Sequence, residues 1–161
     1  MRCRLGGFLF LFILVAIPCW GFEFQATVTQ VLAGDKLEVL NLGNFYKIRL
    51  AFVRAPENGQ DFSKQAKEFS ENLIAAKQVR IVTHGQTESG WLLGEVFLGD
   101  KNLGRELLEN GLAWEYPQVK KSEFAKLQAK AEEQKKGLWS EKDPTPPWKF
   151  KEPKKKTAKS F

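Results

Sequence analysis

Past residue 21 this chain contains no cysteine. Cys3 and Cys19 are the only two among its 161 residues, and both lie in the leading segment. A disulfide framework is excluded for the remainder, which must be held by its core alone. Histidine is nearly missing too, since His84 stands alone. With no second histidine and no cysteine near it, the sequence argues against a zinc centre, and no serine-histidine triad can be assembled. No glycine-rich phosphate loop is present. No apolar run reaches the ~20 residues of a membrane span.

The first 21 residues have the form of a secretory signal peptide. Arg2 and Arg4 supply a positive start, and Phe8 to Ile17 is an unbroken apolar run of ten residues. Pro18 ends that run, and Cys19-Trp20-Gly21 places small residues for cleavage near Gly21. The expected destination is the periplasm or the medium, with no stable membrane anchor.

A basic excess is also missing from the body of the chain. The whole sequence carries 25 Lys+Arg against 19 Asp+Glu. Removing Arg2 and Arg4 leaves 23 against 19, and Lys149 to Phe161 holds six Lys and one Glu. Residues 22–148 therefore carry 17 against 18, net −1. The domain-wide basic field of many nucleic-acid-binding proteins is absent. The segment 149–161 reads as a disordered, solubilising tail, or as an attachment to anionic envelope polymer or lipid. Residues 22–148 are expected to form one domain with its own core.

Within that domain the pattern is strands first. Phe24, Ala26 and Val28 alternate with polar neighbours, the period of a strand with one buried face. Ala33-Gly34-Asp35 reads as a turn in which glycine supplies a positive φ. Leu37 and Val39 share one face of a second strand. A third, with Ile48, Leu50 and Phe52 alternating against Arg49, Ala51 and Val53, runs up to Pro56. Phe62, Ala66, Phe69 and Leu73 recur at helical spacing over 62–76, with Asp61 or Ser63 as the expected cap. Val79 and Ile81 mark a fourth strand, 84–90 a polar loop, and 91–98 a fifth strand. A second helix is expected from Leu103 to Asn110, capped by Asn102 and stopped by Gly111. A third is expected over 120–136, with Phe124, Leu127 and Ala131 on its inner face. The expected class is α+β, mainly β: a five-stranded barrel of the oligonucleotide/oligosaccharide-binding type with three helices.

The chemistry concentrates between Gly34 and Glu57. An acid, Asp35, sits in a tight turn, Arg49 lies on the next strand but one, and Glu57 follows Pro56. This is the layout of a metal-dependent phosphodiesterase site, but a second acid is missing and Arg54 stands in its place. Lys36, Arg49 and Arg54 together form a small cationic patch suited to an anion or a nucleic acid. Plainer readings stand beside these: an Arg49–Glu57 salt bridge, an Asp35 that serves its turn, a solvated Arg54, and packing roles for Trp91 and Trp114.

From Phe24 to Trp148 the chain resembles the staphylococcal nuclease (thermonuclease) family. The resemblance is carried by Gly34-Asp35, Ile48-Arg49-Leu50, Ala55-Pro56-Glu57, the Gly90 loop, Leu107-Leu108, Gly111-Leu112-Ala113, Gly137-Leu138-Trp139 and Pro146-Pro147-Trp148. It implies that Asp35 matches a calcium-binding aspartate, that Glu57 matches the glutamate that positions or activates the attacking water, and that Arg49 matches one of two phosphate-holding arginines. The departures are specific. The second calcium aspartate falls at Arg54, its following threonine at Ala55, and the second phosphate arginine at Trp91. Thr87 and Lys36 also replace usual family residues. A fixed positive charge repels Ca²⁺ as well as failing to bind it. The expectation is a nucleic-acid or other anion-binding module with calcium-dependent cleavage lost or very weak, and no cofactor. The alternative is an active exported endonuclease of DNA or RNA, using Ca²⁺ in a rearranged site with Glu88 or Asp61 as the replacement ligand.

Overall fold

A computed structural model describes residues 22–118 and 121–151. The signal-peptide reading of 1–21, and the tail from residue 152 onward, lie outside the described residues.

Five long strands form the barrel: β1 (Glu23–Ala33), β2 (Lys36–Asn41), β3 (Asn44–Leu50), β5 (Gln78–Gln86) and β6 (Leu92–Leu98). They lie in the order β3-β2-β1-β5-β6. The sheet closes because β6 also pairs with β3, in parallel, with Ile48 opposite Leu92 and Leu50 opposite Gly94. Closure removes the open edges of the sheet. Two-residue strands β4 (Val53–Arg54), β7 (Lys101–Asn102) and β8 (Trp114–Glu115) add short ladders. Helices α1 (Ser63–Ile74), α2 (Leu103–Glu109) and α3 (Ser122–Glu133) complete the fold, followed by a 3₁₀ turn at Gly137–Ser140. The five-stranded barrel with three helices is thus the observed architecture.

The core has two parts that meet. Inside the barrel Val28, Leu37, Val39, Ile48, Ile81 and Val96 are buried. Under the helices Leu103, Leu107, Leu108 and Phe124 continue the same cluster. The second helix begins and ends as its local chemistry requires. The Asn102 side chain accepts a hydrogen bond from the Arg105 amide, and Gly111 takes the left-handed conformation at φ 66°. A side chain at 111 would also collide with the Lys136 carbonyl. On α3, Phe124 and Ala131 are buried and Leu127 is half-buried.

Several expectations are corrected. The third strand ends at Leu50 and does not run up to Pro56: the chain bends at Ala51-Phe52 and re-enters a ladder at β4. Leu50 to Pro56 are buried without alternation, because the barrel covers one side of this run and the later chain covers the other. His84 belongs to β5 rather than to a loop. Helix α1 has no side-chain cap; Phe62, at φ 61°, precedes it instead. Its deepest residues are Ala66, Ser70 and Ile74, while Phe62, Phe69 and Leu73 flank them, half-buried.

Gly34 is corrected in a way that bears on function. It does not have a positive φ. It is needed for space: a Cβ there would lie 2.8 Å from the Ala55 Cβ and 2.9 Å from the Ala66 Cβ. The β1–β2 turn thus packs directly onto α1 and onto the segment before Glu57. A hydrogen bond of 2.8 Å from the buried Ser70 hydroxyl to the Gly34 carbonyl locks that contact.

Candidate active site

Three chain segments converge where the β1–β2 turn meets the end of β3. Lys36 and Arg49 are direct cross-strand partners, and the Leu50 amide donates to the Asp35 carbonyl at 2.9 Å. This backbone bond fixes Arg49 beside Asp35. Glu57 then arrives from the segment packed on Gly34. Two like charges opposite each other on a ladder repel, and the carboxylates offset this. Lys36 Nζ donates to Glu57 Oε2 at 2.6 Å, and Arg49 Nη2 reaches Glu57 Oε1 at 3.4 Å. Arg49 Nε faces Asp35 Oδ2 at 3.4 Å. Asp35, Lys36, Arg49 and Glu57 therefore form one network, and the Arg49–Glu57 salt bridge is part of it.

Asp35 is 1% exposed. Burial pushes its carboxyl above the usual range, against the opposing pull of Arg49, Lys36 and Arg54.

Arg54 is the surprise of the site. It is 7% exposed, so it is not a solvated charge. Its Nη1 donates to the carbonyls of Leu50 at 2.5 Å and Val53 at 2.7 Å. Its guanidinium lies over the Tyr116 ring, 4.1 Å from the centroid, a cation–π contact. Tyr116 gets there because β4 pairs with β8 and the Tyr116 amide donates to the Phe52 carbonyl. Burial first, and then the Arg49 charge, lower the hold of Arg54 on its proton, while Asp35 opposes this. An arginine nonetheless keeps its charge at neutral pH.

Arg49, Arg54 and Glu57 border an open cleft of about 700 Å³. Thr87, Glu88, Ser89, Tyr116 and Trp148 also line it. Trp148 is 43% exposed and meets Tyr116 edge-on at 6.1 Å. A side depression joins Lys36 and Arg49 to Trp91, over whose ring Lys47 Nζ lies at 5.9 Å. Trp91 therefore sits at the site rather than in the core. Trp114 is different: it is buried, with its ring against Trp139 at 5.8 Å. Asp61 borders another depression, with Trp114 and Leu138, and does not reach the cleft. Nothing local in the sequence marks Tyr116 or Trp148 as cleft residues. Pro146-Pro147-Trp148 was visible only as a domain ending, and Tyr116 carries no periodic signal.

The donor set does not fit a calcium ion. Ca²⁺ takes six to eight oxygens. Among the described residues no three Asp, Glu, His or Cys side chains converge. Asp35 and Glu57 already face Arg49 and Lys36, and the Leu50 and Val53 carbonyls are taken by Arg54.

Residues 47–141 match the family model described as staphylococcal nuclease homologue. The chain belongs to the staphylococcal nuclease family. A protein of Escherichia coli O157:H7 named an uncharacterized endonuclease is 34% identical over 128 residues, covering 78% of this chain and 84% of its own length. The micrococcal nuclease of Shigella flexneri is 28% identical over 151 residues, with 86% of each chain covered. An uncharacterized endonuclease of Haemophilus influenzae is 32% identical over 142 residues, covering 86% of this chain and 79% of its own. This staphylococcal nuclease domain is thus related to proteins named as nucleases, and carries Arg54 on its cleft and Trp91 in the adjoining depression.

Proposed function

We propose that this domain binds the phosphodiester backbone of DNA or RNA in the Arg49–Arg54 cleft, and that its calcium-dependent cleavage is lost or very weak. The observation that carries this reading is the pairing of two guanidiniums on one open cleft with a carboxylate set too small for the ion. Guanidiniums match phosphate oxygens in geometry and charge. Hydrolysis needs in addition a means of stabilising the charge that develops on the leaving and attacking oxygens. Removing one such donor costs about 10² to 10³ in rate. Export, suggested by Arg2, Arg4 and the apolar run that follows, belongs to this proposal and would place the binding outside the cytoplasm.

The test is cleavage and binding of labelled single- and double-stranded DNA by the purified protein, with Ca²⁺ and with EDTA. We expect binding without cleavage. For two neutralised phosphates on a single strand, log K should fall against log salt with a slope near −1.4, about −0.7 per phosphate. Robust, EDTA-sensitive cleavage would refute the proposal.

One observation favours a second reading, an active endonuclease with a rebuilt metal site: Glu88 borders the same cleft as Glu57. The double variant Arg54→Asp, Trp91→Arg separates the two. Activity appears or rises if the site is degenerate. It stays level or falls if the site has been rebuilt around Glu88.

A further inference from the structure

Arg54 is a buried cation with no carboxylate in direct contact among the described residues; Asp35 and Glu57 act on it only from a distance. Its acceptors are the Leu50 and Val53 carbonyls. Burying a charge in this way is costly unless something compensates it. Lys36 and Arg49, by contrast, are already paired with Glu57 and Asp35. The three cations and two carboxylates around the turn leave one positive charge over. Glu88, which lines the cleft, is exposed, and solvent screens it.

The guanidinium has donors to spare. A guanidinium has five N–H donors in a planar fork. Nη1 spends its two on the carbonyls. Nε and Nη2 have no acceptor among the described residues, and Arg54 borders the cleft beside Arg49. The carbonyl bonds and the Tyr116 ring hold the group in place, so its charge cannot swing away when the cleft is empty. A divalent ion in this region would meet a fixed positive charge and two carbonyls already engaged.

We propose that Arg54 is a permanent internal cation that stands in for the metal ion: with Arg49 it holds an oxygen of a phosphodiester, so the cleft binds nucleic-acid backbone without any divalent metal. This rests on the binding reading above and adds its mechanism. No bond is made or broken in it. The anion supplies the missing charge partner, and Nε and Nη2 supply the hydrogen bonds.

The experiment measures affinity for a labelled thymidine oligonucleotide, in EDTA and in excess Ca²⁺, for the wild type, Arg54→Gln and Arg54→Asp. The expected wild-type affinity is the same within about twofold in both buffers. Arg54→Gln should bind about 10- to 100-fold more weakly, the loss of a charge-assisted hydrogen bond. Arg54→Asp should bind weakly in EDTA and recover with Ca²⁺. If wild type binds and a folded Arg54→Gln binds equally well, the role of Arg54 is overturned while the binding reading stands. A wild type that binds only with Ca²⁺ overturns the role of Arg54 as well. If wild type binds in neither buffer at low salt, both fall. Should the variants fail to fold, the assigned Arg54 Nε–Hε resonance of the wild type is followed during titration with dimethyl phosphate in EDTA. A shift that saturates is expected, and an unmoved resonance refutes the proposal.

Discussion

Replacing Gly34 by alanine tests whether the turn that carries Asp35 is held by packing against α1. Carbon atoms in contact rest about 3.5–4.0 Å apart. The new methyl would sit 2.8 Å from the Ala55 Cβ and 2.9 Å from the Ala66 Cβ. Neither neighbour is the free end of a long side chain, so turn and helix must separate by about 1 Å. Overpacking of this kind costs about 1–3 kcal/mol. The separation also stretches the buried Ser70–Gly34 hydrogen bond of 2.8 Å, worth about 1 kcal/mol. The total is about 2–4 kcal/mol. With a mid-range urea slope of about 2 kcal/mol per molar, the unfolding midpoint should fall by about 1–2 M, read from tryptophan fluorescence. Gly43→Ala is the control, since Gly43 has φ 81° but nothing within 4 Å of the added carbon. It should cost only the backbone term, about 1–2 kcal/mol. A Gly34→Ala midpoint equal to that of wild type, or a Gly43→Ala loss larger than that of Gly34→Ala, would refute the packing argument.

Two further outcomes follow from the site. Burial raises the Asp35 pKa above its unfolded value of about 3.9. The native state then holds more protons than the unfolded state between the two values, so this group's contribution to stability declines as pH rises through that window. As pH rises above about 3.9, Asp35→Asn should therefore gain in Tm relative to wild type, and a pH-independent difference would contradict this. Trp91→Ala should weaken single-stranded DNA binding by about 1–3 kcal/mol, the value of one base stacked on an aromatic ring, and spare duplex binding. Equal losses for both would show that the Trp91 ring does not stack on a base.

Much of the barrel was readable because its signals are local. Alternation marks β1 and β2, where one face is buried, and Asn102 and Gly111 end α2 through their own hydrogen bonding and φ. What could not be read depends on partners far along the chain. Leu50 to Pro56 loses its alternation because it is covered from both sides. Gly34 looks like a turn glycine, and its need for space exists only once Ala66 is packed against it. Ser70, not Phe69, faces inward on α1, in phase with Ala66 and Ile74, and its hydroxyl meets the Gly34 carbonyl. Asp35, Arg49 and Glu57 could be grouped through the family resemblance, and the structure brings them together with Lys36. The burial of Arg54 has no local signal, since it requires Tyr116, the residue just after β8.

The pairing of β4 with β8, and the position of Trp148 beside Tyr116, also set the order in which the molecule can be completed. The barrel joins Glu23 to Val82 and Ile48 to Leu92, distant pairings that make for slow folding. The cleft then waits for Tyr116 and finally for Trp148. During vectorial synthesis Arg49 and Arg54 emerge some sixty residues before Tyr116, so Arg54 is made before its aromatic cover. If the cleft binds as proposed, it is complete only once Tyr116 and Trp148 are in place. A polypeptide cut short before its last turn would retain most of its strands and still lack a finished cleft.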